Sequence, residues 1–111
     1  MTTKQTYAAV RDDFDLAKID TTFEGSFSDG VNACIECCDR HVSSGRAALN
    51  WIGSDGELRS VSYEYLKEQS ACFANMLKAQ GVGPGDRVAC LLPRVSELLV
   101  TMLGSGLVLA S

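Results

Sequence analysis

The run Val88-Ala89-Cys90-Leu91-Leu92 constrains the fold of this chain more than any other stretch. Apolar side chains follow one another there with no polar alternation, so an extended backbone would present apolar groups on both faces. Such a strand is read as covered on both sides, as in a parallel sheet. Pro93 ends it, because proline has no N–H with which to continue a ladder. A sheet of that kind needs neighbouring strands and helices on each face, and the rest of the sequence supplies few of them. The expected class is α/β, with helices packed on a partial sheet. The chain reads as an incomplete piece of something larger.

Periodicity gives the surrounding elements. Residues 1–30 show none that is sustained. Tyr7, Val10, Phe14, Leu16, Ile19, Phe23 and Phe27 are scattered among Asp, Thr, Ser and Gly. That predicts an extended or partly helical arm, residues 1–30, ahead of a body over 31–111. Val31, Cys34, Ile35, Cys38 and Val42 recur at helical spacing, with Asn32 or Asp29 as cap and Ser43-Ser44-Gly45 as stop. Residues 46–52 and 57–61 read as the strands of a hairpin around the turn Gly53-Ser54-Asp55-Gly56. Ser62 offers a capping oxygen to a long amphipathic helix over 63–80. Its face is Leu66, Ser70, Phe73 and Leu77, widened by Ala74 and Met76, and Gly81 stops it. Gly83-Pro84-Gly85-Asp86 is a turn. Ser96 caps a final helix with apolar positions Leu98, Leu99, Met102 and Leu103. Gly104-Ser105-Gly106 then separates it from a further apolar element, 107–110.

Composition narrows the function classes. The formal net charge of −4 over 111 residues argues against non-specific nucleic-acid binding and against a polybasic membrane anchor. The acidic excess is concentrated at the start, where Lys4, Arg11 and Lys18 face Asp12, Asp13, Asp15, Asp20, Glu24 and Asp29. Met1 to Thr6 lead into no apolar signal core. The apolar stretch 98–110 is shorter than the roughly 20 residues a membrane span needs. Five cysteines, an odd number, point to reduced thiols in a cytoplasmic setting.

Each candidate for chemistry has an ordinary explanation. Cys34, Cys37 and Cys38 are spaced like a zinc or redox group, but only His41, Cys72 and Cys90 remain as further ligands. The same spacing puts the three thiols along one side of a helix, as small apolar residues. Gly81-x-Gly83-x-Gly85 follows a helix and opens a strand, the reverse of a dinucleotide loop. Gly104-Ser105-Gly106 is too short for a nucleophile elbow, and one histidine gives a Ser-His-Asp arrangement little support. Asp39-Arg40-His41 reads as a solvated helix end. Arg94 reads as a salt-bridge residue, and Trp51, Tyr63 and Tyr65 as packing residues. No catalytic, cofactor-binding or metal-ligating residue is assigned to this chain.

The order of motifs carries a resemblance. Asn32 to His41 resembles the "Asn…Asp-Arg-His" helix of acetyl-CoA synthetase-like enzymes. Gly45-Arg46-Ala47-Ala48-Leu49 and Asp55-Gly56 look like the strand and turn that follow. Ser62-Tyr63-x-Tyr65-Leu66 is similar to "Thr/Ser-Tyr-x-Glu-Leu", with Tyr65 where Glu is usual. Phe73-Ala74-Asn75-Met76-Leu77 and Gly81-Val82-x-x-Gly85-Asp86-Arg87-Val88-Ala89 look like "Ala-Asn-x-Leu…Gly-Val-x-x-Gly-Asp-Arg-Val". Leu92-Pro93 with Glu97-Leu98 matches "Leu-Pro-x-x-x-Glu-Leu". The resemblance spans residues 32–104 in consistent order. It is to the AMP-forming acyl-CoA synthetases, adenylate-forming enzymes that join a carboxylate to ATP and pass the acyl group to coenzyme A.

The resemblance implies a large adenylate-forming domain of which this chain holds an N-terminal part, over 31–111. It implies ATP, Mg²⁺, CoA and a small carboxylate as partners of a full-length relative, with no cofactor for this fragment. The family's phosphate loop, its adenine and ribose motifs and its catalytic lysine have no counterpart here. The matched stretch is expected to be scaffold, inactive alone. After Met102-Leu103-Gly104 the family continues Arg-x-Gly-Ala-Val-like, whereas this chain gives Ser105-Gly106-Leu107-Val108-Leu109-Ala110-Ser111, which reads as truncation. Two rival readings are a small interaction module docking through its apolar C-terminal segment, and a thiol or zinc protein built on Cys34, Cys37 and Cys38.

Overall fold

The computed structural model describes residues 5–109. The chain divides after Val31 into two units, each described by itself.

The first unit is held by local hydrogen bonds. Helix α1 (Tyr7–Asp12) starts where the Ala9 N–H donates to Thr6 Oγ1, and α2 (Leu16–Asp20) where the Ala17 N–H donates to the Asp15 carboxylate. These are ordinary N-caps, each satisfying a donor that a first helical turn leaves open. A loop follows in which the Phe27 N–H donates to the Asp20 carboxylate at 2.8 Å. Ser26 and Gly30 form an isolated antiparallel bridge, and the Phe23 and Phe27 rings meet edge to face. None of the described residues up to Val31 is buried.

The second unit carries the core. Helix α3 (Ala33–Cys37) begins at Asn32, whose side-chain oxygen accepts from the Cys34 and Ile35 N–H groups. The predicted helix over 31–42 is not continuous. The backbone leaves the helical region at Cys38 (φ −132°, ψ −67°) and tightens into a 3-10 helix, Asp39–Ser44. The Glu36 carbonyl takes its hydrogen bond from His41 Nε2 at 2.9 Å. A side chain thus satisfies an acceptor at the break in the ladder.

Strands β1 (Ala47–Ile52) and β2 (Leu58–Ser62) form the hairpin, antiparallel, with a bulge between Ala47 and Leu49. Opposite residues share a face. Leu49 with Val61, and Trp51, lie on the half-buried face, while the pair Ile52 and Leu58 on the other face is 67% and 73% exposed.

Helix α4 (Tyr63–Ala79) follows β2 directly, capped by the Ser62 hydroxyl, which accepts from the Tyr65 N–H. Leu66, Ser70, Ala74 and Leu77 are its buried face, the stripe that the sequence periodicity marks out. The helix ends in a Schellman arrangement. The Val82 N–H reaches back to the Leu77 carbonyl and the Gly81 N–H to the Lys78 carbonyl, with Gly81 left-handed at φ 85°.

Helix α5 (Glu97–Leu109) packs on α4. Here the structure departs from the expectation of a break at Gly104-Ser105-Gly106. The helix runs straight through, and the apolar tail belongs to it as far as Leu109, Ala110 lying outside the described residues. The reason is packing. A methyl group on Gly104 would sit 2.8 Å from the Ser70 carbonyl oxygen and 2.8 Å from Phe73 Cδ1, so glycine is what lets the two backbones approach. Val108, only 1% exposed, closes the core with Ala74 and Leu77, flanked by Phe73, Val82, Val88 and Leu107. The C-terminal apolar segment is therefore core packing and not a free docking surface. No helix among the described residues is long and apolar enough to cross a membrane.

The run 88–92 is not a strand. Val88 is half-buried against the core, but Ala89, Cys90, Leu91 and Leu92 are exposed, Leu91 by 99%. Among the described residues nothing pairs with it, since the sheet consists of β1 and β2 alone. A strand is stabilised by its ladder and by cover on its faces, and this run has neither.

Candidate functional site

An open groove of about 650 Å³ lies along one flank of the hairpin. Arg46, Arg59, Ser60, Ser62, Tyr65 and Glu97 line it. Arg59 is fixed on β2 by a 2.9 Å ion pair to Glu57 and lies 5.4 Å from the centre of the Trp51 ring. The hydrogen bonds that Arg59 donates to the Glu57 carboxylate, then the charge of that carboxylate, hold the Arg59 guanidinium above its usual range. Across the groove, the Ser96 hydroxyl donates to the Glu97 carboxylate at 3.2 Å. The segment bearing them is pinned to the hairpin by Trp51 Nε1, which donates to the Arg94 carbonyl at 2.7 Å. Charge and hydroxyl groups there can hold a polar ligand. No Cys, His or Lys lines the groove, and its carboxylate, Glu97, is the acceptor of the Ser96 hydroxyl.

The sequence-derived candidates fall elsewhere and apart. Cys34 and Cys38 are fully buried, Cys37 is exposed, and so are Cys72 and Cys90. The Cys34 thiol contacts the Asp39 carboxylate at 3.9 Å and the Cys38 thiol the Tyr63 carbonyl at 3.6 Å. Burial, followed by the charge of Asp39, pushes the Cys34 thiol up to about 12. Burial likewise raises Cys38, again with Asp39 second. Thiols held protonated this way are poor nucleophiles and poor metal ligands. Among the described residues no group of three or more His, Cys, Asp or Glu is placed to hold a metal ion. The residues present therefore do not fit a resident metal.

His41 is occupied by the Glu36 carbonyl and lies against the Tyr63 ring, 5.3 Å between centroids. Arg40 pairs with the nearly buried Glu36, so Asp39-Arg40-His41 is less solvated than expected. The amides of the glycine run close the chain's own turns. Gly81 donates to Lys78, Gly83 to the Asp86 carboxylate at 2.8 Å, and Asp86 to the Gly83 carbonyl. They do not fit a phosphate cradle. Two expectations are corrected. Arg94 makes no salt bridge with any described residue, and its carbonyl is what matters. Tyr65 is not a packing residue: 51% exposed, it lines the groove. Local spacing gives no sign of the groove: Glu97 and the hairpin residues Arg46 and Arg59 are distant in the chain, and the Trp51–Arg94 bond is one of the contacts that tie their segments together.

The sequence pattern of the family described as AMP-binding enzyme matches residues 38–107, well over half of the chain. An acetyl-coenzyme A synthetase of Gemmatimonas aurantiaca is 46% identical over 76 residues, covering 66% of this chain and 12% of its own length. One from Parvibaculum lavamentivorans is 41% identical over 81 residues, covering 69% and 12%. A solved acyl-CoA synthetase of Brucella canis superposes with a TM-score of 0.79 at 42% identity, covering 91% of this chain and 19% of that one. The chain thus spans about an eighth of the curated relatives it matches, and corresponds to a partial α/β domain.

Proposed function

Since the chain belongs to the AMP-binding enzyme family, we propose that it is an N-terminal scaffold portion of an AMP-forming acyl-CoA synthetase and does not catalyse adenylation by itself. The whole reaction converts a carboxylate, ATP and CoA into acyl-CoA, AMP and pyrophosphate. A carboxylate is a poor electrophile, and adenylation supplies the leaving group that thioester formation needs. Mg²⁺ acts in a full-length relative by offsetting phosphate charge, and no step through it is assigned to residues of this chain. What these residues do is support. The α4–α5 pair and the hairpin form a packed block against which further layers of an α/β domain can rest. The names of the curated relatives favour a short carboxylate such as acetate. The free thiols suit a reducing compartment, the cytoplasm.

The observation that carries this reading is the superposition on 19% of a synthetase at 42% identity. The test is pyrophosphate release with ATP, CoA and acetate, propionate or butyrate. The 111-residue chain should give none above background. Acid-dependent turnover by this chain would overturn the scaffold reading.

A further inference from the structure

We propose that the groove along the hairpin binds a small phosphate ester that carries hydroxyl groups at its far end, a ligand of the sugar-phosphate class. The proposal goes beyond the scaffold reading and does not rest on it. What carries it is a groove that is polar along its length and opposite in charge at its two ends.

One end is cationic. Arg46 is exposed just before β1, and its guanidinium has no ion pair or hydrogen bond among the described residues. A planar guanidinium with its donors open suits a phosphate. The other end is acidic. Arg59 is already engaged by Glu57 through two hydrogen bonds, and Glu97 lies near enough for its charge to act on the same guanidinium. Glu97 accepts the Ser96 hydroxyl on Oε2, which leaves Oε1 open among the described residues. A recess of about 120 Å³ shares Arg59, Ser96 and Glu97 with the groove and is backed by Trp51. A carboxylate oxygen there takes hydrogen bonds from hydroxyl groups and repels a second anion. Ala47 stands opposite Ser62, so Arg46 and Arg59 differ by four strand steps, about 13 Å. The Arg46 side chain and a phosphorylated hexose fill that gap together, past the hydroxyls of Ser60, Ser62 and Tyr65. The groove, about 650 Å³, has the size of a small-molecule site. The chain as a whole carries −4, so its overall field does not attract anions, and phosphate binding reports the local arrangement.

The test is an NMR titration of the ¹⁵N-labelled chain with glucose 6-phosphate, inorganic phosphate and glucose at constant ionic strength. Glucose 6-phosphate should shift the amides of residues 46, 59–62 and 97, with a millimolar Kd of the order expected for an open, solvated site. Inorganic phosphate and glucose should each bind at least about tenfold more weakly. Arg46→Ala should weaken glucose 6-phosphate at least about tenfold. Glu97→Gln should weaken it too, yet leave inorganic phosphate unchanged or tighter, a split that a merely structural role would not produce. Arg94→Ala, at a residue that does not line the groove, should change nothing. Should Arg46→Ala fail to fold, the map of shifted amides and the Glu97→Gln split decide alone. Shifts confined to residues outside the groove, or none at all, overturn the proposal. So does undiminished binding by Arg46→Ala. Equal affinity for inorganic phosphate and glucose 6-phosphate also overturns it, because the acidic end then contributes nothing. Pyrophosphate release stays a separate readout: turnover would sink the scaffold reading and leave this site standing.

Discussion

Gly104 lies where α5 comes closest to α4, and its missing side chain is what the Ser70 carbonyl and the Phe73 ring occupy. Gly104→Ala should destabilise the fold by about 1–3 kcal/mol through overpacking. Gly106 has nothing within 4 Å of where a Cβ would sit, so Gly106→Ala should stabilise by about 0.5–1 kcal/mol through helix propensity. Urea midpoints of the two variants should move in opposite directions. The buried thiols give a pH prediction. Cys34 ionises at 9.0 when unfolded and at about 12 when folded. Between those values the unfolded chain has lost the proton and the folded chain keeps it, so the unfolded state binds fewer protons and stability falls as pH rises. Well below 9.0 the contribution is intact. Cys38 acts in the same direction. The urea midpoint should fall between about pH 8 and about pH 10.5, and Cys34→Ala should flatten that fall. Alkylation of the native chain should reach Cys37, Cys72 and Cys90 and spare Cys34 and Cys38.

At the scale of elements, α4 and α5 hold the second unit together. Val108 is 1% exposed in their interface, so Val108→Ala should cost about 2 kcal/mol in the thermal or urea transition. Ser70 faces the same interface with its hydroxyl buried and without a hydrogen-bond partner among the described residues. Desolvation there is uncompensated, and Ser70→Ala should be neutral or stabilising by up to about 1 kcal/mol. A loss of stability on that change would show that the hydroxyl has a partner in solution. The hairpin depends on fewer contacts. One of its faces bears Leu49, Val61 and Trp51, and the Trp51–Arg94 bond ties it to the start of α5.

For the whole molecule, burial separates the two units. The described residues up to Val31 contain no buried side chain, whereas Leu66, Ser70, Ala74, Leu77, Gly104 and Val108 are buried in the second unit. Local opening follows the density of buried apolar contacts. Limited trypsin digestion should therefore cut after Arg11 and Lys18 before it cuts after Lys67 and Lys78, as mass spectrometry of the early fragments would show. Early cleavage inside α4 would contradict this ordering of local stability.

Caps, stops and turns are local signals, and there the sequence determined the outcome. The Ser62 cap and the Gly81 stop bracket α4 at 63–80, and the helix runs Tyr63–Ala79. The turn at 53–56 sets the hairpin, and Asn32 caps α3. The motif order also carried the family, because each motif stands in its own short window. Tertiary structure decided what depends on partners distant in the chain. Glycines at 104 and 106 read as a break, yet α5 continues because α4 needs that close approach. The apolar run 88–92 reads as a strand, yet it stays unpaired because a strand exists only through neighbours. The groove lined by Arg46, Arg59 and Glu97 was invisible for the same reason: it lies between the hairpin and the start of α5, segments distant in the chain that the Trp51–Arg94 bond helps tie together.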